Sequence, residues 1–329
     1  MSDEHLPSYD ELPIDPGAPA GSSWGVFDDP RLGCLSLLTP ERAAAAARSV
    51  QRGAVFPLDA EIDAIDPPLF GRQPTVHTVS GVPGEAASHD DVLDGWNTQA
   101  SSQWDGFRHI RHPRHEYYGG LPFADHGVNV WAERGIVGRG VLADVARWRE
   151  QVGRPLQMDA ADPIEPDDLV GCLADQGTTV EVGDILLVRT GWLGWYRSLD
   201  VERRAAMAGG HANPGLRPGR ATARLLWDLH VAAVAADNPP LEVWPPGALL
   251  TDDDRAALAA DPTDPGALSS AFVHLDLLPL LGIPIGELWD LDALADDCAA
   301  DGRYNFLLTS APLRLVGGVG TPPNALAIK

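Results

Sequence analysis

Lysine is almost missing from this chain. The one lysine is Lys329, and every other basic residue among the 24 Lys and Arg of the 329-residue sequence is arginine. Pyridoxal enzymes and Schiff-base aldolases need an internal lysine for covalent attachment, and Walker-type ATPases need one for phosphate contact, so these classes are excluded. Cysteine is scarce too: Cys34, Cys172 and Cys298 are odd in number, widely spaced and without a CxxC pair. They read as small buried apolar residues in a reducing compartment. No apolar run approaches membrane-spanning length. The opening "MSDEHLPSYDELPIDPG" lacks the apolar stretch of a secretory leader, so a cytoplasmic location is expected. Positive charge is in deficit, with 24 Lys and Arg against 47 Asp and Glu and a net charge of -23. The first thirty residues carry Asp3, Glu4, Asp10, Glu11, Asp15, Asp28 and Asp29 and no Lys or Arg. Such a surface repels phosphate backbones and anionic lipid, which argues against nucleic-acid and membrane partners.

Hydrophobic residues make up 44% of the chain, enough for a well-buried core. The expected organisation is an N-terminal arm and first helix over 1–45, followed by one catalytic-sized domain over 46–329. "PERAAAAARSV" from Pro40 is a helix with proline in its first turn, and "PIEPDDLVGCLADQG" is a helix with acids at its N-terminus. "GDILLVRTGW" is a short continuous apolar run suited to a buried strand, and "VAAVAADNPP" is another strand, preceded by the helix "ATARLLWDLH". "SSAFVHLDLLPLLG" and "LDALADDCAADG" read as helices with glycine stops, and "YNFLLTSAPLRLVGG" as a closing pair of strands. Strands and helices interleave without a repeat, which predicts an α/β single domain with a β-rich core flanked by helices.

The chemistry concentrates in "NTQASSQWDGFRHIRHP", Asn97 to Pro113. On a strand, Gln99, Ser101, Gln103 and Asp105 share one face, with Ala100, Ser102 and Trp104 on the other. Gly106 permits a break, and His109 follows within reach. A straight strand separates Gln99 from Gln103 by roughly 13 Å, so either the chain bends around Ser101 or Gln99 has a different task. His112 and His115 read as surface or supporting residues, because Pro113 interrupts any helix that would align them with His109. "GRGVLA", Gly138 to Ala143, fits GxGxxA and opens a helix on this reading. Only "GIV" precedes it, so it is taken as a tight turn and not a dinucleotide fingerprint. "GGVG", Gly317 to Gly320, is read as a turn. There is no GxSxG elbow, and no cysteine has a histidine close by. Two further residues stand out: His274 in an otherwise apolar helix, and Glu287 after "GIPIG".

"QASSQWDGFRH" resembles a variant of the HxGTHxDxxxH signature of the cyclase-like metal-dependent hydrolases, a family that includes bacterial kynurenine formamidases (arylformamidases), isatin hydrolase and cyclases. Asp105 and His109 match the aspartate and last histidine, Gln99 and Gln103 stand at the first two histidines, and Ser101 and Ser102 stand for Gly-Thr. "GDILLVRTGW", "AADNPPLE" and "VHLDLLPLLGIPIGELWDLDAL" resemble later family segments, and "SAPLRLVGGVGTPPNALAI" resembles the ending of a glutamine-containing branch, so the likeness runs from about Gly71 onward. The resemblance implies a swivelling β/β/α type fold, a homodimer or homotetramer, and a divalent metal that activates water against an amide, lactam or similar carbonyl. By position it implies Gln103, Asp105, His274 and Glu287 as metal ligands, with Asp105, His109 and Glu287 in catalysis and His109 as proton shuttle. Gln99, Ser102 and Trp104 would contact the substrate. Carboxamides in place of two imidazoles offer weak neutral oxygens, which suit manganese or magnesium better than zinc, or no metal at all.

Three readings of function result. The first is an arylformamidase-like hydrolase of a small molecule. The second is a metal-independent cyclase or dehydratase, with acid-base work by His109, Asp105 and Glu287. The third is a non-catalytic binding protein in which Trp96, Trp104, Trp192 and Trp195 supply aromatic walls.

Overall fold

Two short apolar runs form the centre of the molecule because each is buried on both faces. They are Ile185–Val188 and Ala233–Ala236, and every residue in both is buried. The computed structural model describes residues 6–81, 84 and 88–329. Its main sheet has nine strands: β1 (Val55–Pro57), β2 (Gln103–Asp105), β3 (Ile136–Ala143), β4 (Ile185–Val188), β5 (Ala233–Ala236), β6 (Ile285–Glu287), β7 (Asn305–Ser310), β8 (Gly320–Thr321) and β9 (Ala325–Ile328). The spatial order is β1-β9-β7-β3-β4-β5-β6-β2-β8. The run β3-β4-β5-β6 is parallel, and β2 joins β6 antiparallel. Helices and loops cover the sheet, so the fold is the expected single α/β domain with a β-rich core.

Local chemistry explains the helices. Pro40–Arg48 begins with proline after a Thr39 cap whose side chain accepts from the Arg42 backbone N–H. Pro166–Asp175 starts with proline after Glu165, and Asp292–Asp301 stops at Gly302 in the left-handed conformation. The N-terminal stretch lies on the body, where Leu6, Tyr9 and Leu12 pack against the core and Asp10 pairs with Arg224. No described helix is long and apolar enough to cross a membrane.

Two expectations change. "GRGVLA" is neither a turn nor the opening of a helix; it lies inside strand β3. Its glycines are there because neighbours press on them. A Cβ at Gly138 would come within 2.6 Å of Leu38, and one at Gly140 would run into the Phe306 ring. The helix expected across His274 is broken into Pro265–Ala271, a turn at His274–Asp276, and a wider π-type turn at Leu277–Leu281.

Candidate active site

The register of β2 against β6 builds the floor of the site. Glu287 lies opposite Gln103 and Ile285 opposite Asp105, so Gln103, Asp105 and Glu287 project from the same face. The cross-strand pair is joined by a hydrogen bond of 2.5 Å from Gln103 Nε2 to Glu287 Oε2. His274 enters from the broken helix, its Nε2 3.1 Å from Glu287 Oε1 and 3.8 Å from Asp105 Oδ2. One ligand atom from each of Asp105, His274 and Glu287 lies within 4.8 Å of the others, and all three residues are buried. The strands and the histidine turn, far apart in the chain, therefore meet in one buried cluster.

The segment before Gln103 is not the straight strand expected. Residues 98–102 are turns and bends, started by the Asn97 side chain accepting from the Gln99 backbone N–H at 2.9 Å. The chain curls, and the Gln99 side chain folds back over Asp105. Gly320, opposite Asp105 on β8, makes room: a Cβ there would sit 2.6 Å from Gln99 Cγ. Gln99 Nε2 reaches Asp105 Oδ1 at 2.5 Å and His109 Nδ1 at 3.0 Å. A carboxylate oxygen only accepts, so the amide nitrogen faces Asp105, and the same nitrogen then donates to His109 Nδ1. Neutral His109 therefore carries its proton on Nε2, the nitrogen 3.8 Å from Asp105 Oδ2. In this arrangement His109 offers a hydrogen bond into the site, and relaying a proton through the ring requires Gln99 to let go of Nδ1.

The three residues expected to contact the substrate fare differently. Gln99 is in the site. Trp104 projects from the other face of β2 into the core, fully buried, edge-on to Trp289 at 4.8 Å and donating to Ser310 Oγ at 2.9 Å. Ser102 Oγ is committed to the Leu288 carbonyl and the Ala60 backbone N–H, and Ser101 Oγ to the Glu61 carbonyl. Trp104 and Ser102 serve packing and backbone contacts here and do not join the Asp105, His274 and Glu287 cluster, because strand alternation and the turn aim them elsewhere. Trp192 is likewise core, stacked on Tyr196. His112 and His115 stack on each other at 4.6 Å in a separate pocket with Tyr9, Asp10, Arg114, Arg220 and Asp276.

Glu242 is the site residue without a role in the sequence reading, although it closes the stretch "AADNPPLE". Its carboxylate lies 2.9 and 2.8 Å from His274 Nδ1 and accepts the His274 backbone N–H at 3.2 Å. Phe272 stacks on the other side of the imidazole, with ring centroids 4.4 Å apart and planes 2° from parallel. An acid just past a buried strand and two prolines was the only available signal.

The electrostatics follow from burial and crowding. Burial works against charge on His274, but the charge of Glu242, the nearby Asp105 carboxylate and hydrogen bonds to Glu242 and Glu287 hold its pKa well above the ordinary value. Burial pushes the Glu287 carboxyl up, and the charge of Asp105 adds to that. Asp105 is held below its usual value: burial opposes this, but His109 and His274 outweigh it.

The residues fit a divalent cation. Gln103 Oε1 and Asp105 Oδ2 are buried acceptors without a hydrogen-bond partner, costly unless something satisfies them. The two glutamines each occupy one oxygen of a carboxylate, which leaves Asp105 Oδ2 and Gln103 Oε1 unpartnered, while Glu287 Oε1 and His274 Nε2 hold each other at 3.1 Å until an ion separates them. Glu242 behind His274 is the outer carboxylate that metal-bound histidines usually have. Asp105, His274 and Glu287 can thus hold a metal ion.

The sequence pattern of the family described as Putative cyclase matches residues 56–243. A crystal structure of a novel cyclase is 32% identical, with a TM-score of 0.77, covering 94% of this chain and 99% of its own. The chain belongs to this cyclase family. Isatin hydrolase A from Ralstonia solanacearum shares the fold at 18% identity and TM-score 0.57, covering 88% of this chain and 95% of its own. Isatin hydrolase A from Labrenzia aggregata, bound to benzyl benzoate, does so at 16% and 0.55, covering 87% and 96%. No curated protein matches the chain.

Proposed function

We propose that this protein is a metal-dependent hydrolase that opens a carbonyl–nitrogen bond of a small amide or lactam, in the manner of an arylformamidase. The observation that carries the reading is the meeting of Asp105, His274 and Glu287 with two unpartnered buried acceptors, beside a histidine that is 25% exposed. Membership of the cyclase family and a fold shared with isatin hydrolases support it.

When bound, a divalent cation supplies Lewis acidity, polarising a carbonyl and making water a competent nucleophile near neutral pH. Asp105, His274, Glu287 and the Gln103 carbonyl would hold it. With one nitrogen and three oxygens, this set favours manganese or magnesium over zinc. Glu242 fixes which nitrogen of His274 faces inward. The Nε2–H of His109 points toward Asp105 Oδ2 and is placed to donate to oxygen or nitrogen of the scissile group. On the same reading the protein acts on its substrate as a homodimer or homotetramer.

The test is elemental analysis of the purified protein with hydrolysis of formanilide and N-formylanthranilate before and after exhaustive chelation. The reading expects a stoichiometric divalent ion and activity that chelation removes and manganese restores. Full activity after chelation would instead favour the ion-free reading, ring closure or dehydration by His109 with the carboxylates. The specific support for that alternative is the set of hydrogen bonds that Gln99, Gln103 and His274 already make to Asp105 Oδ1 and to both oxygens of Glu287.

A further inference from the structure

Arg72 reaches the same site from the loop-rich segment ahead of β2. Its Nη1 donates to the Gln99 carbonyl, and its guanidinium lies 5.0 Å over the Phe70 ring. Its charge acts on both Asp105 and Glu287, yet no carboxylate among the described residues pairs with it. That is unusual company for a half-buried arginine in a chain with 47 acids, where Arg52, Arg149, Arg189 and Arg197 each bridge two carboxylates. A guanidinium with spare N–H groups, close enough for its charge to act on the acids but not paired with them, is a receptor for a planar anion.

The neighbouring rings say what the anion is attached to. Phe70 has φ 59°, in the left-handed region that a bulky residue avoids, and its side chain is still 37% exposed. The ring is edge-on to Trp244 at 5.0 Å and lies 5.4 Å from His211, while His211 and Trp244 stack at 6.0 Å. His211 and Trp244 also line a cavity of about 600 Å³ with Trp195 and Met207. An aromatic wall that begins at Phe70 therefore flanks the guanidinium.

From this arrangement we infer that Arg72 is a specificity-determining residue that binds a carboxylate of the substrate. The substrate class is then a planar, carboxylate-bearing amide or lactam whose ring lies against Phe70 and Trp244. This rests on the hydrolase reading for the reaction, but the binding step stands apart from it.

The experiment uses the full chain loaded with manganese and two matched pairs of probes: N-formylanthranilate against formanilide for turnover, and anthranilate against aniline for binding by calorimetry. The wild type is expected to favour the charged member of each pair. Arg72→Met should lower kcat/KM for N-formylanthranilate about 30-fold, mostly through KM, as expected for loss of a charged hydrogen-bonded contact. Formanilide should lose far less, about threefold, because it has no charge for Arg72 to meet and suffers only from the loosened Gln99 carbonyl and the charge removed near Asp105 and Glu287. Arg72→Lys should recover part of the loss, and it serves as the test variant if Arg72→Met does not fold. Equal losses on both substrates, or none on the charged one, overturn the inference while leaving the hydrolase reading intact. If neither amide is hydrolysed, anthranilate binding that depends on Arg72 supports the inference and sinks the hydrolase reading. Anthranilate binding no tighter than aniline overturns the inference whatever the activity.

Discussion

His274 is held by Glu242 at two points: both carboxylate oxygens lie within 2.9 Å of Nδ1, and one of them also accepts the backbone N–H. The carboxylate fixes the ring's rotation and leaves Nε2 facing Asp105 and Glu287. Glu242→Gln keeps the shape but removes the charge and lets an amide N–H compete for Nδ1. Metal affinity should fall about 10- to 100-fold, the usual effect of losing an outer carboxylate. Calorimetric titration of manganese into both proteins checks this. Unchanged affinity would mean that His274 is not a ligand.

Gln103 stands where the family signature has a histidine. Gln103→His replaces an amide oxygen by an imidazole nitrogen beside Glu287, and nitrogen is the better donor for a borderline-soft ion. The variant should bind zinc at least about tenfold more tightly relative to manganese than the wild type does. Competition between the two ions, read by elemental analysis after dialysis, measures that ratio. A ratio that does not move would place position 103 outside the ligand set.

Gln99 sets the tautomer of His109 by donating from an amide nitrogen that Asp105 has already oriented. Gln99→Ala removes the donor and frees Nδ1 to be protonated. The ¹⁵N spectrum of His109 should show Nδ1 as an unprotonated acceptor in the wild type and a mixture of tautomers in the variant. Turnover of a formamide should fall about tenfold, in the range for a mispositioned hydrogen-bonding group. A single unchanged His109 tautomer would remove Gln99 from that role.

Much of this architecture is legible in the residues themselves. Ile185–Val188 and Ala233–Ala236 read as buried strands because both faces are covered and the apolar runs are uninterrupted. Pro40, Pro166 and Gly302 mark helix ends because their backbone constraints act locally. Asp105 and His109 stand out through the family signature, and His274 and Glu287 through the resemblance of the segment "VHLDLLPLLGIPIGELWDLDAL" to a later part of the family. What stays hidden depends on contacts across the fold. Gln99 reaches Asp105 only through the Asn97 turn and the clearance at Gly320, and nothing in the sequence pairs those positions. Trp104 and Ser102 look functional beside the motif, but alternation sends one into the core and two backbone partners claim the other. Glu242 and Arg72 belong to irregular segments, where no periodicity tells a site residue from a solvated one.

Gly140 looks like part of a nucleotide-binding motif and is instead a packing necessity. It faces Phe306 on the neighbouring strand, and the ring fills the space a side chain would need. Gly140→Ala should destabilise the fold by about 2 kcal/mol through overpacking, with Phe306→Leu in the same chain recovering part of the loss. Urea unfolding midpoints of the single and double variants test this. An equal effect of Gly140→Ala with and without Phe306 would deny the contact its role.

Asp184, just before β4, ties stability to pH. It is 2% exposed, and burial pushes its carboxyl up to about 7, only partly offset by the Glu181 backbone N–H at 2.7 Å and by Arg139 at 3.4 Å. An unfolded aspartate titrates near ~3.9. Between these values the folded chain keeps a proton that the unfolded chain has released, so stability is fully present below the unfolded value and is lost as pH rises through the folded one. One such proton contributes a slope of up to about 1.4 kcal/mol per pH unit. Asp237, pushed up to about 6, adds a slope of the same sign, so only the difference between two proteins isolates Asp184. Asp184→Asn keeps an acceptor for the Glu181 N–H and cannot ionise. Its urea midpoint should fall less than that of the wild type between about pH 5 and about pH 8, and should lie higher at the alkaline end. Parallel pH curves for the two proteins would show that the Asp184 carboxyl ionises in the folded chain as easily as in the unfolded one.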